Sequence, residues 1–309
     1  MNLEKEINEI IGFKNLELLA TQVVEGFISG LHKSPFHGFS AEFAEHKIYN
    51  NGESTKHIDW KLFAKTDKLY TKRYEEETNL RCHLILDNSS SMHYPPLQQM
   101  HIENLNKIGF ASLASAAIMN LMKRQRDSVG MSIYSNTYEF YSIEKASERH
   151  HQMLLQQLNK TLESKPSGVQ TKTYSHLHLI AEKLKRRSLV FLFTDMFQSD
   201  KEQHELFEAL QHLKYNKHEV VLFHTYDKDK ELYFDFNNRP KKFVDIETSE
   251  HINLYPDNVK QTYETAVQSY FDTLAVECGH YRIKYVPVDV NDRFNTILST
   301  YLVERARFG

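Results

Sequence analysis

The sequence predicts an α/β fold: a doubly wound, mostly parallel sheet flanked by helices, with an N-terminal helical and irregular extension. Three observations carry this. From about residue 80 onward, short apolar runs of strand length alternate with longer stretches of helical periodicity. Most segments between successive runs are long enough for the crossovers that parallel pairing requires. Two of the runs end abruptly at an acid, Asp87 and Asp195, and in an open parallel sheet ligands bind outside the carboxyl ends of the strands.

Taken in order, residues 3–28 place apolar side chains three and four apart with a break near Gly12, which predicts two helices. Residues 31–51, with Pro35, Gly38 and many aromatics, show little periodicity and read as an irregular segment over the domain. Asp59 stands where it can cap a helix beginning at Trp60 or bond the basic residues around it, and Trp60, the only tryptophan, reads as a packing anchor. Residues 69–76 read as a strand able to pair with an edge of the sheet that begins at Leu80. The central run, His83 to Leu86, is followed by Asp87, Asn88 and three serines; Pro95-Pro96 then breaks the chain. Residues 105–122 form a helix whose Gly, Ala and Ser positions allow close approach to a sheet. A hairpin over 129–143 turns at Ser135-Asn136-Thr137. Helices follow at 148–162 and 177–184, a buried strand at 189–193, a helix at 202–213 and a strand at 219–224. Residues 227–247 carry two short strands about Asn237-Asn238-Arg239-Pro240, a hairpin insertion. A helix at 259–276, a strand at 281–287 and a helix at 294–303 close the chain. The division expected is 1–79 as an extension packing on the core and 80–309 as the α/β domain.

Hydrophobic residues make up 40% of the 309, enough for a real core, and 38 basic against 41 acidic residues give a net charge of −3. That balance offers no general pull toward nucleic acid or acidic membranes. Cys82 and Cys278 are too few for a disulfide framework and read as reduced thiols. The charged N-terminus lacks a signal-peptide core and nowhere do roughly 18 apolar residues run together, so a soluble, cytoplasmic protein is expected. Of 17 histidines, His150, His151, His176 and His178 stand among polar residues without a third ligand at a metal-binding interval and are expected at the surface.

Asp87, Ser89 and Ser91 alternate, so an extended loop would turn one carboxylate and two hydroxyls to one side. These are hard oxygen donors, and a site with few carboxylates and room for water suits Mg²⁺. Taken alone, the motif reads more readily as a Ser-rich turn, and the rest of the chain must decide.

Asp87-x-Ser89-x-Ser91 after a strand, Thr171 before a helix and Thr194-Asp195 after a buried strand together resemble the von Willebrand factor A domain and its metal-ion-dependent adhesion site. The resemblance covers roughly residues 80–309 and implies a metal site of Asp87, Ser89, Ser91, Thr171 and Asp195 holding Mg²⁺, or Mn²⁺ or Ca²⁺, whose last ligand is a partner's carboxylate. Thr173 remains an alternative to Thr171, because the loop Val169-Gln170-Thr171-Lys172-Thr173 lacks the glycines common in relatives. Met196 follows Asp195 where relatives commonly carry glycine. Upstream, Gly38-x-x-x-Glu42-Phe43, Tyr49-x-x-Gly52-Glu53, Ile58-Asp59-Trp60 and Tyr74-x-Glu76 resemble the bacterial domain-of-unknown-function family 58, with Glu53 and Lys56 in place of that family's usual aspartate and arginine. That resemblance implies a protein working beside a MoxR-type AAA+ ATPase, or on its substrate, as an adaptor or chaperone-like factor.

The function expected is therefore a noncatalytic, metal-dependent protein-binding module. Two alternatives stand beside it: a scaffold with an empty metal site, and a Mg²⁺-dependent phosphohydrolase. The enzyme reading is weakened because such hydrolases need a second acid two residues after the first, where this chain has Ser89, and no phosphate loop or nucleophile spacing occurs elsewhere.

Overall fold

The computed structural model describes residues 15–28, 39–40, 43–49, 58–74, 77–78, 80–97, 99–165, 168, 171–196 and 202–308. The helix expected near residues 3–11, the Gly52-Glu53 turn with Lys56, and Gly38, Glu42 and Glu76 lie outside the described residues. The chain forms two compact units, Met1–Pro35 with Arg81–Gly309, and Phe36–Leu80. The first helix, α1 (Leu16–Ile28), thus belongs with the main unit, whereas the sequence grouped it with the extension up to residue 79. Its Leu16, Leu19, Ala20, Val23 and Val24 are buried, and Asn120 donates to Thr21 Oγ1 at 3.0 Å from a helix of that unit.

In the smaller unit, β1 (Phe39–Ser40) pairs with β4 (Glu77–Thr78), and β2 (Phe43–Ile48) pairs with β3 (Tyr70–Tyr74), both antiparallel. The segment read as irregular therefore contains strands, and β3 joins β2 instead of an edge of the main sheet. Backbone pairing within the unit supplies the order that periodicity could not reveal. Helix α2 (Trp60–Thr66) begins as expected: Asp59 Oδ1 accepts from the amides of Lys61 and Leu62 at 3.0 and 3.1 Å. Trp60 itself is 62% exposed and lies edge-on to Phe63, so it is not a buried anchor.

The main unit is built on a six-stranded mixed sheet, mostly parallel and flanked by helices. Its strands are β5 (Arg81–Asp87), β6 (Ser128–Tyr134), β7 (Tyr138–Lys145), β8 (Leu189–Thr194), β9 (Glu219–Tyr226) and β12 (Lys284–Asp289). They lie in the order β12-β9-β8-β5-β6-β7, with only β7 antiparallel to its neighbour. After β5 the chain moves outward through β6 and β7, then returns to the other side of β5 for β8, β9 and β12. The order reverses between β5 and β8, so a crevice is expected at their carboxyl ends.

Helices α3 (Lys107–Arg124), α4 (Glu148–Glu163), α5 (Thr173–Lys183), α6 (Gln203–Tyr215), α7 (Pro256–His280) and α8 (Phe294–Phe308) surround the sheet. On one face Ile85, Val190, Leu192 and Leu222 pack with Leu177 and Ile180 of α5, Leu206 and Leu210 of α6 and Leu274 of α7. On the other, the alternate residues Phe193 and Phe223 stack 5.0 Å apart, with Phe110 of α3 and Tyr301 of α8 against Phe223. Both faces are covered, which is why these strands read as continuous apolar runs. Ala111, Ala114 and Ala117 keep α3 close to the strands, as their size suggested.

Three histidines depart from expectation. His150, His151 and His176 are buried, because α4 and α5 turn them inward with their apolar residues. His150 donates Nε2–H to Val129 O at 3.0 Å, and His176 stacks 5.1 Å from Tyr134. Burial lowers the basicity of all three. The insertion also differs: its strands are β10 (Lys241–Val244) and β11 (His251–Leu254), turning at 245–250, later than 237–240. Asp245 makes that turn by accepting from two later amides, a local role that competed unseen with the Asn-Asn-Arg-Pro signal. Cys82 and Cys278 are both free and buried. Among the described residues no helix is long and apolar enough to cross a membrane.

Phe223 lies at the centre of the aromatic layer with no exposed surface. Its replacement by alanine is expected to lower unfolding free energy by about 3–5 kcal/mol, measured by urea denaturation; a loss below about 1 kcal/mol would contradict the packing described.

Candidate metal centre at the switch point

Asp87 ends β5 and Asp195 follows β8, its parallel neighbour, so register alone brings the two acids to the same end of the sheet. Both are buried. Asp87 is held from two sides: Oδ1 accepts from the Ser89 amide at 2.8 Å and Oδ2 from the Thr194 hydroxyl at 2.7 Å. Burial, reinforced by the charge of Asp195, nevertheless pushes the Asp87 carboxyl up to about 6.

Beyond Asp87 the chain does not stay extended. Ser90–His93 form a single 3₁₀ turn, and this turn, not strand-like alternation, brings Ser89 Oγ and Ser91 Oγ within 3.0 Å of each other. Asn88, Ser90 and Met92 serve structure. The Asn88 amide group donates to Glu139 at 3.1 Å, Ser90 Oγ accepts from the Gly168 amide at 2.9 Å, and Met92 is fully buried. Ser90 thereby ties the first loop to the loop preceding α5.

That second loop carries Thr171, 2% exposed, whose Oγ1 has no hydrogen-bond partner among the described residues. Thr173 is also buried, but it is the first residue of α5 and its side chain is engaged. The two threonines differ in that Thr171 keeps a hydroxyl without a partner among the described residues. A buried hydroxyl without a partner costs about 1–3 kcal/mol.

The third loop is shaped by Met196, whose φ of 56° is the left-handed conformation that glycine ordinarily supplies. The chain here adopts it with a buried methionine, held by a bond from its amide to Thr194 Oγ1 at 3.1 Å and one from Tyr270 OH to its carbonyl at 2.5 Å. His224 on β9 donates Nε2–H to the Asp195 carbonyl at 2.9 Å and accepts from Tyr285 OH at 2.7 Å through Nδ1. Full burial lowers His224 to about 4, which keeps it neutral in this role.

Sequence reasoning missed three charged groups. Lys107, at the start of α3, is wholly buried and places Nζ 3.1 Å from Asp195 Oδ2 and 2.5 Å from Glu231 Oε1. Burial works against its charge, but the two carboxylates overcome this and hold its pKa above the usual value. Glu231 lies on the short π-helical turn Lys228–Leu232, and burial raises its pKa. Glu247, in the turn between β10 and β11, accepts from the Thr171 amide at 3.3 Å. Burial pushes its carboxyl up to about 7, with Asp195 and Asp87 adding to the rise. A first-turn lysine and turn glutamates carry no periodic signature, so nothing in the sequence set them apart from surface charge.

The Lys107 ammonium thus meets two of the carboxyl groups, Asp195 and Glu231, while Asp87 and Glu247 act on each other and on Asp195 without it; Ser89, Ser91 and an unpartnered Thr171 hydroxyl belong to the same loops. Among the described residues no three His, Cys, Asp or Glu side chains form a metal-binding group by themselves. Hydroxyls would have to supply the remaining donors. An excess of carboxylate, hard oxygen donors and an orphaned hydroxyl fit a small divalent cation.

The family model described as protein of unknown function DUF58 matches residues 45–270. The uncharacterized proteins Rv1480 of Mycobacterium tuberculosis and Mb1516 of Mycobacterium bovis are each 22% identical to this chain over 182 residues, covering 59% of it and 55% of their own length. The chain spans about half the length of these relatives. Similar solved structures include an aerotolerance-related membrane protein from Bacteroides fragilis, with TM-score 0.44 and 13% identity over 74% of this chain and 100% of that one. The minor pilin PilB from Streptococcus sanguinis gives TM-score 0.43 and 8% identity over 78% and 65%.

Two outcomes follow from the buried charges. Because His224 titrates near 4 when folded and near 6.5 when unfolded, the unfolded chain gains a proton first as pH falls. His224 therefore contributes a loss of about 3 kcal/mol of stability between pH 6.5 and 4, and denaturation curves compared across pH should show the slope reduced by that amount in His224→Asn, with the share of His150, His151 and His176 remaining. Lys107→Met leaves Asp195 buried without its ammonium and should destabilise by about 3–5 kcal/mol, read from the denaturation midpoint; an unchanged midpoint would exclude the buried ion pair.

Proposed function

The chain belongs to the DUF58 family, and from that premise we propose that it is a noncatalytic, metal-dependent protein-binding module with a von Willebrand factor A-like α/β domain. The observation that carries the reading is the grouping at the switch point: two buried acids on adjacent strand ends, paired serine hydroxyls and the unpartnered hydroxyl of Thr171. Asp87, Ser89, Ser91, Thr171 and Asp195 would hold Mg²⁺, Mn²⁺ or Ca²⁺. A bound ion supplies a positive position at which an acidic side chain of a partner binds.

The chain's own residues prepare that position. Thr194 and the Ser89 amide orient the Asp87 carboxylate, and neutral His224 steadies the backbone at Asp195. Lys107 and Glu231 balance charge behind Asp195 without leaving the interior. Ser89, where a phosphohydrolase would carry a proton-transferring acid, favours gripping over bond breaking. The partner proposed is a MoxR-type AAA+ ATPase or its substrate, on the strength of the sequence resemblance; the module then acts as an adaptor or chaperone-like factor.

Lys107 favours one other reading, a scaffold that uses no metal, since its ammonium already contacts Asp195. The two separate by experiment. A metal that binds only the native state raises the melting temperature, so millimolar Mg²⁺ or Mn²⁺ should stabilise the wild type and not Asp87→Ala. The ATPase should be retained by the wild type in pull-downs and released by EDTA. No thermal shift, together with retention that survives both EDTA and Asp87→Ala, would establish the scaffold instead.

A further inference from the structure

Glu247 has no role in the reading above, yet it reaches the same loops. It sits in the turn joining β10 and β11, a two-stranded sheet separate from the six-stranded one. The turn is set by Asp245: its Oδ1 accepts from the amides of Glu247 at 2.7 Å and Thr248 at 2.9 Å, its amide donates to Glu250 O at 2.8 Å, and Ser249 takes a left-handed φ of 61°. Held this way, the half-buried Glu247 bonds the Thr171 amide while its neighbours Val244 and Ile246 remain exposed. The hydroxyl of that same Thr171 is buried and unpartnered.

The surroundings of Glu247 lack what a buried carboxylate needs. Among the described residues, what acts on it is burial, the Thr171 amide and three acids, Asp195, Asp87 and Asp245, with no cation. Lys107, which answers Asp195 and Glu231, does not answer Glu247. A carboxylate kept beside three other acids without a counter-charge is raised in energy until a proton or a cation neutralises it. The hairpin that carries it shares no strand pairing with the main sheet. It borders a cleft of about 950 Å³ that runs from Ser91 past Phe234, Phe243, Ile252 and Tyr263.

We propose that Glu247 is the site's own acidic ligand, a tethered carboxylate that takes the place a partner's acid takes and that a partner must displace to bind. The proposal rests on the metal-binding reading of Asp87, Ser89, Ser91, Thr171 and Asp195. The hairpin then acts as an internal competitor: it completes the site in the free protein and makes partner binding depend on moving residues 245–250. The incoming acid is best presented by a segment that also carries apolar side chains, since the cleft beside Ser91 is lined by aromatic and aliphatic residues.

The experiment is Mn²⁺ titration calorimetry on the full chain, comparing wild type, Glu247→Gln, Glu247→Ala and Asp87→Ala, each with and without excess acetate. Both Glu247 variants should bind Mn²⁺ about 10–100-fold more weakly than wild type. Acetate should restore part of the affinity of Glu247→Ala and leave the wild type unchanged, because there the carboxylate is already supplied. If Asp87→Ala abolishes binding while both Glu247 variants match the wild type, the metal site stands and the internal ligand falls. Loss in Glu247→Ala alone, with Glu247→Gln unaffected, would mark a structural role for the side chain and also overturn the proposal, as would acetate acting equally on wild type and variant. Absence of Mn²⁺ binding by the wild type would remove both readings.

Discussion

Everything at the candidate site depends on one constraint: adjacent parallel strands β5 and β8 end in register, and each delivers a buried carboxyl group to the same crevice. Two acids cannot share a dry pocket without compensation, because each raises the energy of the other's charged form. The surrounding structure can be understood as a set of answers to that problem. Thr194 and the Ser89 amide donate to Asp87, Lys107 pairs with Asp195, and His224 pins the Asp195 carbonyl while staying neutral.

These answers are unevenly distributed. Asp195 has an ammonium; Asp87 has only neutral donors, and Glu247 has one amide. Positive charge is therefore short on the side of the crevice where Ser89, Ser91 and Thr171 stand. That asymmetry links the packing of the sheet to function. The aromatic layer of Phe193, Phe223 and Phe110 sets the strands, and the strands set the acids.

Much of the architecture was legible because buried strands and small-residue helices leave strong periodic marks. Residues 189–193 read as a strand that the fold covers on both faces, and Ala111, Ala114 and Ala117 announced a helix lying close to the sheet. Asp59 announced its helix through a local cap. Where outcome depended on distant pairing, local pattern misled. The segment before residue 49 contains strands because partners at 70–78 pair with it. Trp60 is exposed although its size suggested burial, and His150, His151 and His176 are buried although their neighbours are polar. The hairpin turned at Asp245, because an aspartate accepting from two nearby amides can outweigh a stretch richer in turn residues.

The amino-acid sequence by itself determined the family and the mostly parallel α/β sheet, and it named Asp87, Ser89, Ser91, Thr171 and Asp195 as candidates, since strand ends and oxygen-bearing side chains are local features. Only the tertiary structure decided how that group is charged. It placed Lys107 on Asp195 across 88 residues of chain and Glu247 on the Thr171 amide across 76. It also showed Met196 in the backbone conformation expected of glycine. Charge balance in a buried pocket is a sum over groups far apart in sequence, and that sum exists only once the chain has folded.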